Sequence, residues 1–100
     1  MPHAVSEHRE ARKELAGLAR PIRQRFEIVK ANIEQDPRAP VLSPRKETGW
    51  GKRTMLGHSF NFGGTTYRIA WEVDSAGDAY IWAYGAHEGF WDRVARRARR

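Results

Sequence analysis

Cysteine is absent from the 100 residues, which excludes a disulfide scaffold, a thiolate metal site and a cysteine nucleophile. No apolar run approaches the roughly 18 residues that a membrane span needs, and Met1 to Glu10 has no apolar leader core. A cytoplasmic protein that makes no use of a membrane is the expectation. The chain is also short: 100 residues fill one modest core and cannot hold two domains. Acidic residues are the scarcer charge, 12 Asp and Glu against 18 Lys and Arg, and the net charge of +6 favours a polyanionic partner, nucleic acid first. Chemistry must fall to His, Lys, Arg, Tyr or carboxylate side chains. His3 and His8 match no zinc spacing, so no metal or other cofactor is expected.

The charge is unevenly spread. Residues 1 to 40 hold 8 basic and 6 acidic side chains, 41 to 64 hold 4 and 1, 65 to 92 hold 1 and 5, and 93 to 100 hold 5 and none. The basic excess therefore sits in the middle and at the C-terminus, beside an acidic third quarter.

Apolar spacing organises the first 36 residues as an antiparallel helical hairpin. Ser6 is placed to cap a first helix, with Glu7 and Glu10 at its positive end, and Ala11, Leu15 and Leu18 share a face. Pro21 suits the first turn of a second helix, in which Ile22, Phe26, Val29 and Ile33 make a continuous stripe. Asp36-Pro37 ends it, because a residue before proline leaves the α region. Residues 37 to 51, rich in Pro and Gly, read as a loop.

From 52 to 85 the period becomes two and the side chains aromatic or β-branched. Met55, Phe60 and Phe62 mark one strand, and Asn61-Phe62-Gly63-Gly64 supplies a hairpin turn. Tyr67, Ile69, Trp71 and Val73 line one face of the clearest strand, with Thr66, Arg68, Ala70 and Glu72 on the other. Asp74 to Asp78 turns the chain, and Tyr80, Trp82 and Tyr84 alternate with Ala79, Ile81 and Ala83. Phe90, Trp91, Val94, Ala95 and Ala98 then fit a basic C-terminal helix over 89 to 100.

This order of elements resembles the RelE/ParE superfamily of toxins from type II toxin-antitoxin systems. The resemblance rests on Glu10-Ala11-Arg12-Lys13-Glu14-Leu15, on Pro21-Ile22-Arg23-Gln24-Arg25-Phe26, and above all on Thr66-Tyr67-Arg68-Ile69-Ala70-Trp71-Glu72-Val73 and Gly85-Ala86-His87-Glu88-Gly89-Phe90-Trp91. It implies an α+β domain over 1 to 100, with the helical hairpin packed on a three- to four-stranded antiparallel sheet and a short basic C-terminal helix. It implies a metal-independent endoribonuclease that cleaves mRNA on the ribosome and is neutralised by a cognate antitoxin in a hetero-oligomer. A ParE-like inhibitor of DNA gyrase, or an inactive binding protein on the same fold, is the alternative. The family's short apolar first strand is matched here by a stretch with Glu7 at an apolar position, so at best a strand over His3 to Val5 is expected.

Metal-free RNA cleavage needs a base for the 2′-hydroxyl, cations for the phosphorane and an acid for the leaving oxygen. The family's strand arginine matches Arg68, and its lysine-rich strand corresponds loosely to Lys52 and Arg53. His87 stands where members carry arginine, and Trp91 where they carry tyrosine. His87 has the proton-exchange range for acid or base work; its bland reading is a surface cap of the last helix. Arg68 equally fits a cross-strand partner of Glu72 or Asp78. For RNA contact the candidates are Lys46 and Trp50, which suit a single strand on flexible backbone, with His58, Tyr84 and Trp91, and the arginines Arg93, Arg96 and Arg97. Trp50 is equally a core plug, and the arginines equally a solvated helix end.

Overall fold

In the computed structural model, which describes residues 4–99, five strands and three helices form three layers. The order is β1 (Val5–Glu7), α1 (Arg9–Ala16), α2 (Arg20–Gln35), a 3-10 turn (Pro40–Leu42), β2 (Arg45–Lys46), β3 (Thr54–Phe62), β4 (Thr65–Val73), β5 (Ala79–Ala86) and α3 (Phe90–Ala98). The sheet runs β1-β5-β4-β3-β2, with β1 parallel to β5 and every other pair antiparallel.

The expected helices form, with one change of cap and one earlier stop: α1 ends at Ala16 before Gly17, so Leu18 packs on the core from beyond the helix. α2 starts with Pro21 in its first turn and buries Ile22, Phe26, Val29 and Ile33. It stops at Asp36, whose extended backbone (φ −160°, ψ 107°) is what the following proline demands. The cap of α1 is His8, not Ser6: the His8 ring nitrogen Nδ1 accepts from the Glu10 amide at 3.1 Å, because Ser6 is already paired in β1 opposite Tyr80. The first strand therefore lies at Val5–Glu7, two residues later than expected; His3 is outside the described residues.

The β3–β4 hairpin closes through Gly63 and Gly64, both at positive φ (58° and 82°), the pair of left-handed residues that a two-residue hairpin turn requires. The sheet separates two apolar clusters. Leu56, Phe60, Ile69, Trp71, Ile81 and Tyr84 pack against α1 and α2, and the Trp71 indole donates to the Pro37 carbonyl at 3.1 Å. On the other face Met55, Ala70 and Ala83 pack under Phe90, Val94 and Ala98 of α3, with Trp50 beside them.

Strict alternation fails in β5. The register passes from Trp71 opposite Ile81 to Ala70 opposite Ala83, leaving Trp82 as the extra residue of a bulge. Trp82 therefore sits with the α3 cluster while Tyr84 is wholly buried in the other one. The segment read as a loop over 37 to 51 also contains the 3-10 turn and β2, too short to give a period.

Candidate functional site

The last helix is fastened to the sheet by its own arginines. On one flank, Glu14 of α1 takes both terminal nitrogens of Arg97 at 2.9 and 2.8 Å, and Arg93 Nε lies 2.9 Å from the same carboxylate, off the line of an aligned hydrogen bond. Hydrogen bonding to Glu14 holds the Arg97 guanidinium above its ordinary pKa against the opposing effect of burial. β1 ends at Glu7, so the outer edge of β5 beyond Ile81 has no neighbouring strand. The same side chains cover it: Tyr84 N–H donates to Glu14, the Trp82 carbonyl accepts from Arg97, and the Tyr84 carbonyl accepts from Arg93. Gly85 makes this possible, having a φ of 153° and a position where a Cβ would stand 2.8 Å from Arg93 Nη2.

At the far end of α3, Arg53 donates to the Ala98 carbonyl at 2.5 Å and to both oxygens of Glu72 at 2.9 and 2.6 Å. That hydrogen bonding, followed by burial in opposition, raises Arg53 and lowers Glu72 from their ordinary values. Trp50 is closed between Arg53 and Arg99, whose guanidinium carbons lie 5.3 and 4.2 Å from its ring. Arg99 also donates to the Gly49 carbonyl.

The opposite flank of α3 is different. β2 pairs with β3 at Leu56 and Gly57, so past Gly57 the outer side of β3 has no partner strand, and a groove of about 380 Å³ opens there, lined by Ser43, Arg45, Glu47, Gly57, His58, Ser59, Arg68 and Trp91. Its floor is made by absence: a Cβ on Gly57 would stand 2.9 Å from Trp91 Cζ2, so the indole lies directly on the strand. Arg45 pairs with Gly57 on one side, and Ser59 with Arg68 on the other. Paired residues share a face, so Arg45, Ser59, Arg68 and Trp91 converge on the α3 side of the sheet. Two cations beside an aromatic plate can neutralise a phosphate and stack a base.

His58 pairs with Ile69 and so points to the other face, where its Nδ1 meets the Leu42 carbonyl. A carbonyl only accepts, so Nδ1 carries the proton. The ring steadies the 3-10 turn at the rim. His87 N–H donates to the Thr66 carbonyl, extending the β4–β5 ladder and setting His87 diagonal to Arg68, about 7–8 Å across. Its side chain is exposed.

Of the four residues expected at the chemistry, Arg68 and His87 thus share one end of β4, while Arg53 grips Glu72, four residues and about 13 Å further along the strand. Lys52 is exposed in the turn before Arg53, and Lys46 exposed on the edge strand. Trp50 is closed under α3, and Tyr84 has no exposed surface. The Tyr84 hydroxyl donates to Glu7 at 2.7 Å, and burial, with that bond second, pushes its phenol above the ordinary value. Glu7 itself, at the position where an apolar residue was expected, also meets Lys30 at 3.2 Å. Arg93, Arg96 and Arg97, with His8, Arg9 and Glu10, line a second cleft between α1 and α3.

Sequence reasoning missed Arg45, Ser59 and Gly57 in the groove, and Glu14 on the other flank. Gly57 carried a signal, a glycine inside a strand pattern marking a close approach; nothing local marked Glu14. Among the described residues no group of three His, Asp or Glu could hold a metal ion, and no helix is long and apolar enough to cross a membrane.

A helical hairpin on one face of a twisted sheet and a single C-terminal helix on the other define the small α+β architecture of RelE-like proteins, and the chain has that fold. It is similar to the Escherichia coli toxin RelE, solved in the free state as a double arginine-to-alanine mutant, with a TM-score of 0.68 over 98% of this chain and 95% of that one, at 17% identity. No family model and no curated protein matches the sequence.

Proposed function

We propose that the protein is a RelE-like toxin that binds single-stranded RNA in the groove between β3, β4 and α3 and cleaves mRNA there without a metal. The observation that carries this is the convergence of Arg45, Arg68 and Trp91 over Gly57, on a fold shared with a toxin. Arg68 and Arg45 hold the scissile phosphate and the charge that develops on it; Trp91 stacks a neighbouring base; His87 exchanges the proton at one end of the reaction. The 2′-hydroxyl oxygen attacks phosphorus and forms a 2′,3′-cyclic phosphate as its proton passes to water, and the 5′-oxygen leaves with the proton that His87 supplies. Cleavage on the ribosome would arrest translation, and a cognate antitoxin would hold the toxin silent in the cytoplasm.

The test is induction without any partner protein, with mapping of mRNA 5′ ends. Growth arrest with new 5′ ends, both abolished by Arg68→Ala, is the expected result; unimpaired growth at high soluble expression would overturn the toxin reading. A second reading, a non-catalytic binder such as a gyrase inhibitor, is favoured by one observation: Lys52 and Arg53 stand apart from Arg68 and His87, and the residue opposite Arg68 on β3 is the neutral Ser59. Growth arrest with intact mRNA and loss of DNA supercoiling would establish it.

A further inference from the structure

We infer that Glu14 is a positioning residue for the groove, acting across the sheet through α3, and this rests on the RNA-binding reading given above. Glu14 belongs to α1, which packs with α2 on the sheet face opposite α3. Its carboxylate reaches round the bare edge of β5 and is shared by Arg97, Arg93 and the Tyr84 N–H. The two arginines lie one turn apart on α3, and each also binds a β5 carbonyl, so helix, edge and carboxylate close one network. Charge-assisted, bidentate contacts of this kind fix orientation as well as distance.

What they orient is the rotation of α3 about its axis. Trp91 lies two residues before Arg93, on the opposite flank of the same helix, and its ring clears the strand only because position 57 has no Cβ. A contact this tight tolerates little roll. Remove the grip on one flank, and the indole on the other no longer holds its place over Gly57 in the groove that Arg45 and Arg68 line.

The prediction has a sign that electrostatics alone gets wrong. Glu14→Gln makes the protein one unit more positive and frees two arginines beside a cleft, which for a simple polyanion binder strengthens RNA affinity. Positioning demands the reverse. Glu14→Gln should weaken binding of a single-stranded RNA oligonucleotide about tenfold and speed amide hydrogen exchange over 93 to 98 about tenfold, with β4 amides still protected. Glu14→Asp, which keeps the carboxylate, should restore part of both. Faster exchange with weakened binding supports the inference. Unchanged exchange in α3, or RNA binding as tight as wild type with Trp91 released, overturns it. Failure of the wild-type protein to bind RNA at low salt would instead overturn the function proposed above, and the exchange measurement would then decide alone whether Glu14 fixes α3.

Discussion

The two flanks of α3 use arginine in opposite ways. On the β5 side and at the helix end, Arg93, Arg97 and Arg53 are consumed by Glu14, Glu72 and backbone carbonyls that would otherwise lack partners. On the β3 side, Arg45 has only a 3.7 Å contact to Glu47, with a side chain 81% exposed, and Arg68 lies at the groove without a carboxylate partner among the described residues. Net charge therefore says little about where a polyanion binds. Local carboxylates decide which cations remain available: the basic C-terminal run is largely a docking device, and one half-buried strand arginine in an acidic quarter of the chain is the available reagent.

The comparison can be broken by mutation. The largest expected effect on stability comes from Arg97→Ala, which leaves Glu14 and the Trp82 carbonyl short of a partner in a half-buried setting; urea unfolding should show a loss of about 2 kcal/mol, and a loss below about 0.5 kcal/mol would mean that the flank is not locked. Gly57→Ala comes next, at about 1–2 kcal/mol, because the methyl group meets an aromatic ring rather than a pliable chain; it should also reduce RNA affinity, since Trp91 must shift.

The third effect is one of pH. The hydrogen bonds from Arg53 hold Glu72 below its ordinary pKa, so its contribution is complete above the normal glutamate range and disappears as pH falls through the lowered value. Urea midpoints measured from pH 7 down to pH 3 should fall less steeply for Glu72→Gln than for wild type, and identical slopes would remove Glu72 from the acid dependence. The smallest effect on stability belongs to Arg68→Ala, within about 0.5 kcal/mol, although RNA cleavage should be abolished. A large destabilisation there would place Arg68 with the locked group.

Much of this was legible in sequence. The stripe from Ile22 to Ile33, the Asp36-Pro37 stop, the glycine turn at 63 and 64 and the alternation from Tyr67 to Val73 follow from local spacing, and the structure keeps them. Two failures were also local in origin. β2 has only two residues, too few for a period, and the bulge at Trp82 shifts the phase of alternation without any Gly or Pro to announce it. The site was less readable because it depends on pairings distant in sequence. Glu14 and Arg97 are 83 positions apart, Arg53 and Ala98 are 45 apart, and no periodicity links them. Arg68 and Trp91 were accessible to a reading by strand and helix phase, whereas Arg45 depended on the register of a strand that could not be seen.

The salt dependence of RNA binding separates the locked arginines from the available ones. Each phosphate neutralised on a single strand adds about −0.7 to the slope of log K against log salt concentration. If Arg68 touches phosphate and Arg97 acts through Glu14, Arg68→Ala should flatten the slope by about that amount, and Arg97→Ala should weaken binding at every salt concentration with the slope unchanged. Equal flattening by both variants, or flattening by Arg97→Ala alone, would contradict the division between locked and available arginines.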